Sequence, residues 1–181
     1  MIAILALQGA FAEHQQMLRR LGVESFLVRN ASDWRQHKDG LIIPGGESTA
    51  MLKIMRDEGL FDAMKAEIEA GLPVFGTCAG LIMLDGKHLG TMDITVRRNA
   101  YGRQLGSFVR NAPIMLDEET NMEMVFIRAP YIEKVGDGVE VLATVDSHIV
   151  AARQGNQLVT AFHPELTDNT ILHEYFLRMT K

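Results

Sequence analysis

The chain opens on an unbroken apolar run, Ile2 to Leu7, with no alternation of polar positions. A run that short and apolar throughout predicts a strand covered on both faces, as in a parallel sheet. The period then changes to that of a helix from about Phe11 to Leu21, which Gly22 stops. Val23 to Val28 and Gly40 to Ile43 predict the second and third strands, Thr49 to Asp57 and Phe61 to Ala70 two more helices, and Val74-Phe75 a fourth strand. This βαβ alternation predicts an α/β fold, a three-layer sandwich with a mostly parallel central sheet flanked by helices and ligands bound at the carboxyl ends of the strands. The second half is richer in strands. Ile94 to Val96, Met122 to Phe126 and Val139 to Thr144 are expected to be extended, and His148 to Arg153 with Gln157 to Phe162 to form a hairpin across Gln154-Gly155-Asn156. A helix over Asn169 to Met179 closes the chain. No repeat, low-complexity tract or linker interrupts it, so a single domain over residues 1–181 is expected.

Composition narrows the class. At 181 residues, 47% hydrophobic and 23% charged, the chain suits one ordinary core and is neither disordered nor membrane-spanning. The longest apolar stretches are far below spanning length. No basic, apolar leader precedes Met1-Ile2-Ala3, and the single cysteine leaves no internal disulfide, so a cytoplasmic location is expected. A net charge of −5 argues against nucleic acid as the main partner.

The lone cysteine lies in Gly76-Thr77-Cys78-Ala79-Gly80, between the apolar Leu72-Pro73-Val74-Phe75 and Leu81-Ile82-Met83-Leu84. Strand, sharp turn with a reactive side chain at its apex, and immediate helix form a nucleophile elbow, which needs small residues two positions either side of the nucleophile. Gly76 and Gly80 meet that need. The thiol would sit over the first turn of a helix, whose unpaired N–H groups favour a thiolate and can hold an oxyanion. Five residues of this pattern also occur at any tight strand-to-helix turn, so partners decide.

Those partners come at the other end of the chain. The strand Gln157 to Phe162 runs directly into His163-Pro164-Glu165. In an extended segment residues i and i+2 face the same way, and Pro164 is expected to hold the link extended. Glu165 then accepts from one ring nitrogen of His163 and leaves the other to take a proton from Cys78. A third glycine turn, Pro44-Gly45-Gly46-Glu47-Ser48-Thr49, follows the buried Leu41-Ile42-Ile43. Ser48 or Thr49 is expected to cap the next helix, and Gly45-Gly46 lets backbone N–H groups approach a substrate. The lysine and spacing of a phosphate loop are missing.

Together these three segments resemble the triad class of glutamine amidotransferases. Leu5-Ala6-Leu7-Gln8-Gly9-Ala10 with Glu13-His14, the elbow through Leu81-Ile82, Arg97-Arg98-Asn99-Ala100-Tyr101-Gly102-Arg103-Gln104, Phe126-Ile127-Arg128-Ala129-Pro130 and His163-Pro164-Glu165-Leu166-Thr167 resemble, more narrowly, the glutaminase subunits of pyridoxal 5′-phosphate synthase. The resemblance spans the chain from first strand to last helix and implies a flavodoxin-like class I amidotransferase fold. It implies hydrolysis of L-glutamine to glutamate and ammonia by Cys78, His163 and Glu165, with no metal or organic cofactor. Substrate binding falls on Gly46, Glu47, Ser48, Arg103, Ile127 and Arg128, and the oxyanion on backbone N–H groups of Gly45, Gly46 and Ala79. The implied partner is a larger synthase subunit in a hetero-oligomer, which uses the ammonia to make pyridoxal 5′-phosphate; Gln8 and Gly9, at the carboxyl end of the first strand, are expected at that contact. Two departures stand out: the segment Asp85 to Gly90 is shorter than in many relatives, and Ile171 stands where an arginine is common.

Other residues have simpler readings. Met51, Met55 and Met64 lie at helical spacing and are expected in the core. Arg97 and Arg98 suit a solvated strand edge. His14, His37, His88, His148 and His173 show no ligand spacing with the cysteine or with paired carboxylates, so no metal site is expected. The rival functions are another cysteine hydrolase, a glutaminase subunit serving a different acceptor enzyme, and a non-catalytic module on the same fold.

Overall fold

The apolar opening of the chain is strand β1 (Ile2–Leu5), buried at every position and flanked on both sides in a nine-stranded sheet. The computed structural model describes residues 1–98 and 106–181. After β1 come α1 (Phe11–Arg20), β2 (Ser25–Val28), α2 (Ala31–Trp34), β3 (Gly40–Ile43), α3 (Ser48–Asp57), α4 (Phe61–Glu69), β4 (Val74–Thr77) and α5 (Ala79–Leu84). The second half carries β5 (Ile94–Arg97), β6 (Ser107–Met115), β7 (Glu119–Ile127), β8 (Tyr131–Val135), β9 (Glu140–Val145), β10 (His148–Gln154), β11 (Gln157–Thr160) and α6 (Ile171–Met179).

The strand order is β2-β1-β3-β4-β11-β10-β8-β5, with β9 beside β10. The first five strands of that order pair in parallel; β10, β8, β5 and β9 extend the sheet by antiparallel pairing. Register decides where the chemistry goes. Ile43 pairs with Gly76, and Thr77 with Thr160, so β3, β4 and β11 end at one level. The residues that follow them, Pro44-Gly45-Gly46, Cys78 and Phe162-His163, emerge together at the carboxyl edge, as expected for an open α/β sheet.

Alternation along β4 assigns the two helical layers. Phe75 packs edge-on against His14 of α1 and His173 of α6 and lies beside Phe176. Gly76, pointing the other way, lies against the backbone of Gly80 in α5. Met51, Met55 and Met64 are fully buried, as their spacing predicts.

The expected elements are present, some with shorter ends and some longer, as Glu119–Ile127 is beyond the expected Met122 to Phe126, and three were not foreseen. Helix α2 is a single turn capped by Asn30, whose side chain accepts from the Asp33 N–H at 2.9 Å; four residues are too few to show a period. β8 is short and half-polar. β6 carries Arg110, Asn111 and Pro113 and pairs with β7 as a separate two-stranded ribbon. Proline is tolerated in such an edge strand, and the ribbon's inner side is fixed by Ala112, Ile114, Met122, Met124 and Phe126. No helix among the described residues is long and apolar enough to cross a membrane.

Candidate active site

The backbone of Cys78 takes φ 52°, ψ −102°, a conformation that L-residues rarely adopt. The tertiary structure imposes it: the Cys78 N–H donates to Thr160 O at 2.8 Å while α5 begins at the next residue. Both flanking glycines are required. A Cβ on Gly76 would meet Gly80 O at 2.6 Å, and one on Gly80 would collide with Ile43 O. The elbow therefore presses α5 onto β3 and β4 and presents the thiol, 7% exposed, at the sheet's edge. Its Sγ lies 3.9 Å from Ile127 O.

His163 follows β11, held by its N–H donating to Val125 O at 2.8 Å. Its Nδ1 is 2.5 Å from Glu165 Oε1, and the imidazole stands beside Cys78 at the cleft. The route to this geometry differs from the expectation. Pro164 does not keep the segment extended; Pro164–Leu166 is a 3-10 turn that curls the Glu165 carboxylate back under the ring. Burial pulls the His163 imidazole down, but hydrogen bonds to Cys78 and Glu165 and the charge of both outweigh it and raise it to about 10.

Gly45 packs against this pair, since a Cβ there would overlap the His163 ring and lie 3.2 Å from Cys78 Cβ. The next glycine is crowded by Gln8: a Cβ on Gly46 would lie 2.8 Å from Gln8 Oε1. Gln8 Oε1 accepts from the Glu47 N–H, and Ala10 N–H donates to Gly45 O at 3.0 Å, so the β1–α1 loop buttresses the Gly45-Gly46 turn. The cap of α3 is neither Ser48 nor Thr49. Glu47 is the N-cap, its carboxylate accepting from Thr49 N–H at 3.0 Å and Ala50 N–H at 2.7 Å. These bonds hold Glu47 below the usual carboxylate range. Ser48 is thereby freed from capping; its Oγ is buried without a hydrogen-bond partner at the wall of the cleft.

A cleft of about 450 Å³ joins these parts. Cys78 and His163 form its floor, Gly45 to Ser48 one wall, and Ile127 and Arg128 another. Arg128 sits at φ 45°, a second strained residue at the rim. Ala79 is buried as the first residue of α5, where helix N–H groups have no intrahelical acceptor. Gln8 and Gly9 are exposed beside the cleft. Arg103 lies outside the described residues.

The sequence of the SNO glutamine amidotransferase family matches residues 4–181. The chain belongs to the SNO glutamine amidotransferase family. It is 57% identical over 184 residues to the pyridoxal 5′-phosphate synthase subunit PdxT of Methanocorpusculum labreanum, covering 98% of this chain and 96% of that one. It is 55% identical over 190 residues to PdxT of Streptococcus pneumoniae, covering 99% and 97%. A crystal structure of a glutamine amidotransferase superposes with a TM-score of 0.90 at 41% identity, over 99% of this chain and 98% of that one.

Some residues at or behind the cleft escaped the sequence reading. Arg98, taken for a solvated strand edge with Arg97, lines the cleft, with a guanidinium nitrogen 3.5 Å from Glu47 and 3.2 Å from Thr49 Oγ1. Arg97 does face solvent, near Glu133 at 4.0 Å. His14 and His173, dismissed for lack of ligand spacing, are both fully buried and in contact behind Glu165. The available signal was their place on apolar faces: His14 with Met17 and Leu18, His173 with Leu172 and Phe176.

Proposed function

We propose that this chain hydrolyses the side-chain amide of L-glutamine with Cys78 as nucleophile, His163 as base and acid, and Glu165 as its orienting partner. The ammonia feeds a synthase subunit that makes pyridoxal 5′-phosphate. The observation that carries the reading is the strained elbow cysteine beside a histidine that is itself bonded to a buried carboxylate, with Cys78 and His163 lining one cleft. Family membership and the high identity to PdxT subunits support the substrate and the partner.

His163 takes the thiol proton, and the sulfur attacks the amide carbon. The developing oxyanion is met by backbone N–H groups of Gly45, Gly46 and Ala79. His163 then protonates the leaving nitrogen. Ammonia departs, a glutamyl thioester remains on Cys78, and water activated by the same imidazole releases glutamate. Glutamine is bound by Gly46, Glu47, Ser48, Ile127 and Arg128 of the cleft wall, together with Arg103. The unpartnered Ser48 hydroxyl supports this role.

Ammonium has no lone pair with which to attack a carbonyl, so ammonia must pass to the acceptor before it equilibrates with water. That need accounts for a hetero-oligomer. The synthase subunit docks at Gln8 and Gly9, and because Gln8 Oε1 holds the Glu47 N–H, docking acts on the oxyanion turn. Residues 1–181 act as one glutaminase domain, in a reducing cytoplasm that keeps the lone thiol free.

Glutamate release from L-glutamine, measured on the chain alone and with its synthase subunit, tests this. Activity that rises with the partner and vanishes in Cys78→Ala is expected; activity retained in Cys78→Ala would overturn the reading. Gln8→Ala with unaltered partner stimulation would remove Gln8 from the docking site.

A further inference from the structure

Behind the cleft, on the far side of Glu165, a chain of buried polar groups crosses an otherwise apolar layer. Glu165 uses Oε1 for His163 and turns Oε2 inward, where it makes no hydrogen bond among the described residues and His14 Nε2 lies 3.5 Å away. The same His14 nitrogen is 3.1 Å from Thr77 Oγ1, the residue before the nucleophile. On its other side, His14 Nδ1 lies 2.8 Å from His173 Nε2. Both imidazoles are wholly buried, with Phe75 edge-on to each. Burying two imidazoles is costly unless their hydrogen bonds accomplish something that an apolar pair would not.

The protons can be assigned by chemistry. An ionised carboxylate 3.5 Å away favours the tautomer with the proton on His14 Nε2, which donates to Thr77 Oγ1. His14 Nδ1 is then an acceptor, and His173 Nε2–H donates to it. This leaves His173 Nδ1 as a bare lone pair, and that atom has no hydrogen-bond partner. The reverse arrangement would strand a buried N–H donor there, the rarer and costlier fault. Donation therefore runs in one direction, from α6 through α1 to Thr77, with Oε2 of Glu165 3.5 Å from the last donor nitrogen.

We propose that His14 and His173 are positioning residues of the glutaminase reaction, a neutral pair whose His14 Nε2–H dipole, 3.5 Å from the otherwise unpartnered Oε2, steadies the Glu165 carboxylate so that Oε1 stays aligned on His163. This rests on the assignment of His163 and Glu165 as base and orienting partner. Neutrality is essential to the role, because an imidazolium at His14 would compete with His163 for the same carboxylate. The titratable groups facing the pair are Glu165 and His163. Burial, reinforced by each other's proximity and that of His163, keeps His14 well below the usual histidine range, and burial holds His173 at about 3.

The experiment compares His14→Leu, His14→Gln, His173→Leu and Glu165→Gln in the assembled complex with the synthase subunit, reading kcat and KM for glutamine separately and unfolding by circular dichroism. His14→Leu keeps the volume and removes the donor; kcat falls about 10- to 100-fold, the usual cost of losing an outer partner of an active-site group, while KM stays within about twofold. His14→Gln restores a donor and recovers most of kcat. A leucine variant with unchanged kcat, or a glutamine variant no better than leucine, would overturn the proposal. If His14→Leu does not fold, His173→Leu decides: a fall in kcat at constant KM supports it, and an unchanged kcat overturns it. Glu165→Gln separates the two levels. If it leaves kcat intact, the triad assignment fails and the positioning role with it; if it abolishes turnover while the His14→Leu and His173→Leu variants leave kcat unchanged, only the positioning role fails.

Discussion

Gly45 lies so close to His163 that a single methyl group on it would overlap the imidazole Cε1, and the same methyl would stand 3.2 Å from Cβ of Cys78. The loop after β3 and the turn after β11, 118 positions apart in the chain (163 − 45), are thus packed to the limit of atomic contact. The Gly45-Gly46 turn therefore limits where the His163 ring can lie.

Gly45→Ala should therefore displace His163 rather than empty or fill a pocket. We expect kcat to fall by at least about 100-fold, the scale of a misplacement near 1 Å, with a stability loss of about 1–3 kcal/mol from overpacking. Steady-state kinetics and urea denaturation measure the two.

The strain at Cys78 makes activity and stability oppose each other. Glycine adopts positive φ freely, so Cys78→Gly should be about 1 kcal/mol more stable than Cys78→Ala, and both should be inactive. Equal denaturation midpoints would mean that the elbow stores no strain.

Removing the carboxylate partner should lower His163. Glu165 contributes a hydrogen bond and a charge that raise the imidazole to about 10, so in Glu165→Gln its titration, followed by NMR at Cε1–H, should move below that value. The stabilising contribution is full below about 6.5, the ordinary value, and is lost as pH rises through 10. The variant should therefore lose less stability on the alkaline side. A midpoint unchanged from the parent would assign the shift to Cys78 alone.

The buried imidazoles give the opposite pH dependence. His173 is held at about 3 and His14 well below its ordinary value, so in acid the unfolded chain binds protons that the folded chain refuses. Stability then falls as pH drops below about 6.5, by up to about 1.4 kcal/mol per pH unit for each such group. Denaturation between pH 4 and 7 should show this slope, and His173→Gln should make it shallower. Parallel slopes would contradict the assignment.

Arg98 and Glu47 are half-exposed, so their pairing contributes little to folding. Arg98→Ala should change stability by less than about 1 kcal/mol. Because Arg98 lines the cleft beside the substrate-binding wall, its loss should raise KM for glutamine by about tenfold, the value of one charged hydrogen bond, and reduce the dependence of KM on salt. An unchanged KM would return Arg98 to the solvated edge.

The parallel half of the fold was legible because strands covered on both faces are apolar throughout and glycines end the helices between them. Ile2–Leu5, Gly40–Ile43 and the hairpin around Gly155 lie where the hydrophobic pattern put them. The β6–β7 ribbon was half hidden, because Arg110, Asn111 and Pro113 break its pattern and only pairing with Glu119–Ile127 defines it as a sheet. Glu47 displaced Ser48 as the helix cap because a longer carboxylate reaches two N–H groups at once, a choice that local preference for serine does not reveal.

By itself the sequence determined the parts: a cysteine between glycines, a His-Pro-Glu strand end, a Gly-Gly turn, and an alternating pattern that sends all three to one sheet edge. These are local properties, set by backbone sterics and by the period of the hydrophobic positions. Only the tertiary structure decided what surrounds them. The 3-10 turn that brings Glu165 under His163, the approach of Arg98 to Glu47, and the convergence of His14 and His173 behind the carboxylate join segments up to 159 positions apart. Such contacts arise from strand register and helix packing, which act on the whole chain at once and leave no spacing to be read along it.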